Sequence, residues 1–284
     1  MNNNLVTVGI ALYNHEKYIE KCLESIVSQT YKNIELIVID DGSADNSYQI
    51  AKEYLDSQNL NKNYKIYNRK NKGMCNTLNE IAKQAKGKYI SFVGSDDYWM
   101  LNKIEEQVTF LENNPDITLV HSNSIRVDKN DNEIGFQDYS NKKNSGDIFE
   151  SIVYAKGEIN TPSHLYRTKV YEQIGYYYDS KLKFEDTDFW LRLTKVNKIG
   201  FINKNHTYYR WHSGNLSGSK NILKFYNEEL VKIYKKNIED KDLKKYAVLK
   251  MYRKSFLRAL RTFECKYIFI YLVKYFKYKF IKKG

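Results

Sequence analysis

Two prolines and three cysteines are all that this 284-residue chain contains of those residue types. Cys22, Cys75 and Cys265 are odd in number and far apart, which excludes a disulfide framework and any Cys-x-x-Cys metal spacing. Reduced thiols in a cytoplasmic compartment are the expectation. No apolar run approaches the roughly 20 residues that span a bilayer. Met1–Asn4 lacks the basic and then apolar pattern of a secretory signal. An excess of one charge is also missing from the first 219 residues, where 27 basic side chains meet 28 acidic ones. The net charge of +12 and pI of 9.2 therefore come from Lys220–Gly284, which holds 19 basic and 6 acidic residues. A nucleic-acid enzyme would place a basic stripe beside its active site, so no nucleic-acid partner is expected.

What is present is a repeated pattern of apolar runs that end in polar or acidic clusters. Val6–Leu12 runs into Tyr13-Asn14, Ile34–Ile39 into Asp40-Asp41-Gly42-Ser43, and Tyr89–Val93 into Gly94-Ser95-Asp96-Asp97. Helical spacing fills the intervals: Ile19, Cys22, Leu23 and Ile26 mark one helix, with Asn14 as its expected N-cap. Met74, Leu78, Ile81 and Ala82 mark another. Alternating strands and helices predict βαβ units on a parallel sheet, an α/β protein. In such sheets ligands bind beyond the carboxyl ends of the strands. Carboxylates gathered there repel one another unless a cation or ligand donors sit between them. A polar, metal-bound ligand is the expectation.

These residues resemble glycosyltransferase family 2. The likeness rests on Tyr13-Asn14, on Ser25–Tyr31, on Glu35–Ser43 with Asp45, and on Ser95-Asp96-Asp97. It continues through Glu185-Asp186 with Phe189–Arg192, then Tyr209-Arg210-Trp211-His212 and Asn215-Leu216-Ser217. The resemblance covers residues 5–220 and implies a GT-A fold: a Rossmann-like, mostly parallel central sheet flanked by helices, here with a C-terminal helical extension. It implies a nucleotide-sugar-binding half over 1–121, an acceptor-binding half over 122–220, and a basic helical extension over 221–284.

The resemblance also implies roles. Asp41 accepts a hydrogen bond from the nucleotide base, commonly uracil, in a slot lined by Ala11, Tyr13 and Asn14. Asp97 is the expected ligand of Mn²⁺ or Mg²⁺, with Asp96 nearer the ribose, because hard cations prefer carboxylate oxygen. Such a cation offsets the charge that a leaving nucleoside diphosphate gathers. Asp186 is the expected general base of an inverting transfer, and Glu185 would help bind the acceptor. His212 is a candidate contact to the metal, and Arg210 to the diphosphate. Taken alone, Asp40–Ser43 would pass for a turn, Asp186 for a helix N-cap and His212 for a structural histidine. The chain departs from the family pattern at Ala11-Leu12, where relatives have Pro-Thr, and after Gly73, where the usual Arg is missing. Arg69 offers a positive charge there at a different spacing.

The expected reaction moves a sugar from a nucleotide donor, UDP-linked by expectation, to a glycan or lipid-linked oligosaccharide in surface polysaccharide biosynthesis such as capsule or lipopolysaccharide. Two alternatives stand beside it. A sugar nucleotidyltransferase would carry a Gly-rich, basic loop early in the chain, whereas Val6–Asn14 holds Gly9 and no cation. A non-catalytic, membrane-associated binding protein would not need Asp41, Asp96, Asp97 and Asp186 together. The last residues interleave Lys with Tyr and Phe, a pattern suited to an interfacial helix on an anionic membrane surface. A peripheral position on the inner face of the cell membrane follows as an expectation. The competing reading is a terminal helix packed on the domain with a solvated basic face.

Overall fold

The structure is a computed structural model that describes residues 4–58, 63–176, 182, 184–212, 220–263 and 265–280, with backbone only for 220–227. Its first half is the expected βαβ series: β1 (Val6–Leu12), α1 (Ile19–Val27), β2 (Ile34–Asp40), α2 (Ser47–Ser57), β3 (Tyr64–Asn68), α3 (Met74–Gln84) and β4 (Tyr89–Gly94). β1 pairs with β2 and with β4, and β2 with β3, all in parallel. β1 and β4 are buried almost end to end, as strands covered by helices on both faces must be. Ile19, Cys22, Leu23 and Ile26 of α1 sit in the core of one face; Ile81 and Ala82 of α3 sit in that of the other. Gly9 is required between them, because a Cβ there would stand 2.7 Å from Ile81 and Phe92.

The second half reverses direction. After β5 (Tyr98–Trp99) and α4 (Lys103–Asn113), β6 (Ile117–Val127) joins β7 (Glu133–Gln137) and β8 (Leu165–Arg167) antiparallel, and β9 (Lys198–Arg210) parallel. The whole sheet runs β3-β2-β1-β4-β8-β6-β9-β5, with β7 on β6. Between β7 and β9 lie α5 (Phe149–Val153), a 3-10 turn (Thr161–Ser163), α6 (Val170–Ile174) and α7 (Glu185–Val196). The C-terminal helices α8 (Lys220–Asn237), α9 (Lys241–Arg261) and α10 (Cys265–Lys279) form a separate apolar cluster that takes in Val153 and Leu191. Asp188 fastens this extension: its buried carboxylate accepts from Asn237 Nδ2 at 2.8 Å and pairs with Arg192 at 2.9 Å.

One expectation about α1 fails. The helix begins at Ile19, five residues beyond Asn14, with Tyr18 in the N-cap position. Asn14 has a left-handed backbone (φ 52°) and spends its amide on the neighbouring loop instead: Ala44 N donates to its Oδ1 at 2.8 Å. An Asn accepts that conformation readily because its short polar side chain bonds locally.

Candidate active site

Sheet register brings the three polar clusters to one edge. Leu12 pairs with Asp40 and Ala11 with Gly94, so Tyr13-Asn14, Asp41 and Ser95–Asp97 leave neighbouring strands side by side. Asp41 is 4% exposed, and its backbone N–H donates to Leu12 O at 2.8 Å. Its carboxylate takes N–H bonds from Lys72 (2.9 Å) and Gly73 (2.8 Å) and an ion pair from Arg69. Arg69, in turn, donates to Thr77 Oγ1 at 2.8 Å and pairs with Glu80. Gly42 makes the adjoining turn at φ +80°, where a Cβ would meet Asn71 N at 2.9 Å. Ala11 lies at the strand end, Asn14 N is held by Ser43 Oγ at 2.9 Å, and the Tyr13 ring is 48% exposed beside them.

Asp96 and Asp97 face different ways. Asp97 turns inward, 5% exposed, and accepts the Arg210 backbone N–H at 2.8 Å. Burial, reinforced by the like charge of Asp96, pushes its carboxyl well above the usual carboxylate range. Asp96 turns toward His212, whose Nε2 lies 3.0 Å from Asp96 Oδ2, and toward His15, whose Nδ1 lies 4.0 Å from Oδ1. One ligand atom from each of His15, Asp96 and His212 lies within 4.8 Å of the others. Two ligands on opposite sides of one ion, with bonds of about 2.2 Å, stand roughly 4.4 Å apart. The donor set therefore fits a divalent cation after small adjustments. Burial lowers the His15 pKa, which favours the neutral imidazole that a metal binds. Gly94 makes room: a Cβ there would stand 2.9 Å from both Asp96 Oδ1 and Asp97 Oδ2.

Arg210 holds this loop from below. Its guanidinium is buried, and it donates to Asp96 O (2.7 Å), Asp128 O (2.9 Å) and Asp131 Oδ1 (2.5 Å). The cation stacks over Tyr18 and Tyr98, at 4.6 and 5.5 Å from the ring centroids. The side chain expected at a diphosphate is thus committed to the protein's own carbonyls and to Asp131. Antiparallel pairing of Tyr98 with Tyr208 is what carries Arg210 and His212 to the end of β4.

Asp186 is the second residue of α7, and Phe184 occupies the N-cap position. Thr187 N donates to its Oδ1 at 2.6 Å; Thr161 Oγ1 stands 3.5 Å from Oδ2 and accepts the Trp190 indole N–H at 3.1 Å. Thr161 opens the 3-10 turn that lies against β4 and β9, and Thr207 of β9 donates to Pro162 O at 3.2 Å. Burial raises the Asp186 pKa. Glu185 beside it is 8% exposed, and burial, then the neighbouring Asp186 charge, lift it to about 8. A carboxyl so raised holds its proton more tightly than an exposed glutamate does.

His15 was not anticipated from the sequence. The only available signal was its position one residue after Tyr13-Asn14, in a loop already assigned to the binding edge. Asn215-Leu216-Ser217 lie outside the described residues.

The family model described as glycosyl transferase family 2 matches residues 7–175. The chain belongs to glycosyltransferase family 2. It is 36% identical over 217 residues to the Escherichia coli UDP-Glc:alpha-D-GlcNAc-diphosphoundecaprenol beta-1,3-glucosyltransferase WfaP, covering 76% of this chain and 81% of that protein. It is 30% identical to the Rickettsia conorii uncharacterized glycosyltransferase RC0461 over 80% of this chain, but spans only 37% of that longer protein. Among solved structures, S. aureus TarS 1–349 in complex with UDP-GlcNAc superposes with a TM-score of 0.70 at 24% identity, over 89% of this chain and 72% of that one. The fold is GT-A, and the protein is a glycosyltransferase.

Proposed function

We propose that this family 2 enzyme moves a sugar from a UDP-sugar to a hydroxyl of a lipid-linked saccharide, inverting the anomeric centre, during assembly of a surface polysaccharide on the cytoplasmic side of the membrane. The observation that carries the reading is the meeting of His15, Asp96 and His212 at the same sheet edge as Asp41. The relative WfaP is named for a UDP-Glc donor and a diphosphoundecaprenol acceptor, and TarS was solved with UDP-GlcNAc; both agree with a UDP-sugar.

In this reading Asp41 and Arg69 form the floor of the base slot. Three donors occupy the Asp41 carboxylate, which has about four lone-pair sites, so one site is left for a base N–H. His15, Asp96 and His212 would hold the cation. Two imidazoles beside one carboxylate favour Mn²⁺ over Mg²⁺, because a transition-metal ion accepts nitrogen ligands more readily than Mg²⁺ does. When bound, the ion supplies Lewis acidity and charge for the leaving diphosphate. Asp97, kept inward by the Arg210 N–H, sets the direction in which Asp96 points.

Asp186 takes the proton from the acceptor hydroxyl. That oxygen attacks the anomeric carbon from the face opposite the nucleotide, and the bond to the phosphate oxygen breaks with its electron pair. A raised pKa makes the carboxylate a stronger base, and its place in the first turn of α7 lets the helix dipole keep it ionised. Glu185, protonated, offers an O–H to the incoming sugar.

The test is a panel of nucleotide-sugars assayed for nucleoside diphosphate release with Mn²⁺, with Mg²⁺ and with chelator. UDP-sugars in Mn²⁺ should be turned over. Asp186→Asn should lower turnover by about 10²–10⁴-fold with donor affinity unchanged. Near-normal turnover of that variant would remove Asp186 as the base.

A further inference from the structure

Helix α10 has two unlike faces. At about 100° per residue, Tyr267, Tyr271 and Tyr278 fall on one side, and these rings pack into the cluster formed with α8 and α9. Phe269, Leu272, Val273 and Phe276 fall on the other, with Phe280 one turn further on. Their exposures are 70%, 36%, 45%, 44% and 71%. The stripe they form is roughly 100° wide. Lys266 and Lys277 border it on one side and Lys279 on the other, all three exposed. Phe263, at the connection from α9, is 87% exposed.

A soluble surface does not ordinarily present so many large apolar side chains in one line. What covers them is constrained by charge. Residues 220–284 carry 19 cations against 6 anions, so a second copy of this extension would be repelled, whereas an anionic surface would be attracted. The helix has 15 residues, and no described helix is long and apolar enough to cross a membrane. Burial in the plane of an interface remains, with rings at headgroup depth and lysines meeting lipid phosphates.

We propose that the exposed face of α10 docks the enzyme on an anionic phospholipid bilayer, with Phe269, Phe276 and Phe280 as the inserted side chains. Both sequence readings of the tail then hold, one for each face of the helix. The proposal is independent of donor and acceptor chemistry.

Flotation of the full chain with phosphatidylcholine vesicles, with and without about 30% phosphatidylglycerol, tests it. The protein should float with the anionic vesicles only, and salt should weaken the association. Phe269→Ser/Phe276→Ser/Phe280→Ser should lower partitioning at least about tenfold without changing the melting temperature, because none of these rings is buried. Lys266→Glu/Lys277→Glu/Lys279→Glu should remove the preference for anionic lipid. Unchanged partitioning of both triple variants would overturn the proposal. So would a wild-type protein that stays off vesicles, including one whose serine variant turns a dimer into a monomer by light scattering, which would assign the stripe to a second copy.

Discussion

Arg210→Met removes a buried cation from under the acidic loop while keeping much of its volume. Among the described residues the guanidinium makes three hydrogen bonds and touches two tyrosine rings. Hydrogen bonds to a charged group contribute about 1.5–3 kcal/mol each. Simple addition would give roughly 5–9 kcal/mol, but deleting the cation also removes its desolvation penalty, and Asp131 is 37% exposed and partly screened. A net loss of about 3–5 kcal/mol follows, or a drop in Tm on the order of 6–15 °C for a chain of this size. Arg210→Lys keeps the charge but cannot reach three acceptors with one ammonium, so it should recover less than half of the loss. Thermal and urea unfolding measure both. A Met variant melting within about 2 °C of wild type, with only UDP affinity reduced, would refute the scaffold role and return Arg210 to the donor.

Further outcomes follow from the same geometry. Gly94→Ala puts a methyl group 2.9 Å from the two carboxylate tips, which are flexible ends; Tm should fall by no more than a few degrees while metal-dependent UDP affinity falls about tenfold or more. Glu185 has a folded pKa raised to about 8 against an ordinary value near 4.5, so the folded state holds the proton more tightly. Its contribution to stability is complete below about pH 4.5 and lost as pH rises through about 8. Glu185→Gln should therefore match wild type in urea melts near pH 5 and exceed it by on the order of 2–4 kcal/mol near pH 9; equal stability at both pH values would contradict the burial argument.

The parallel half of the fold was legible because β1, β2 and β4 are mostly apolar runs separated by helical spacing, as strands buried on both faces require. The antiparallel half was not. β5 has two residues and β8 three, and their partners β9 and β6 lie far off in sequence, so no local period reveals them. That same long-range pairing decides the site. Which of Asp96 and Asp97 faces outward depends on the Arg210 N–H arriving from β9, about a hundred residues later. Two adjacent aspartates after a strand carry no mark of that choice. Arg210 was expected at a diphosphate, because nothing near it in sequence announces Asp131 or the carbonyls of Asp96 and Asp128. Asp41 and Asp186 were site candidates from motif alone, while the Asp41–Arg69 pair needed β2 and the loop after β3 to meet.

Calorimetric titration of UDP into the full chain, with Mn²⁺ and then with chelator, bears most directly on the central claim. Binding should appear with the metal and fall at least about tenfold without it; Asp96→Asn should reproduce the chelator result, and Asp97→Asn should retain more of the metal's effect. Equal UDP binding with and without Mn²⁺, or an Asp96→Asn protein that binds UDP as wild type does, would contradict the assignment of His15, Asp96 and His212 to one cation.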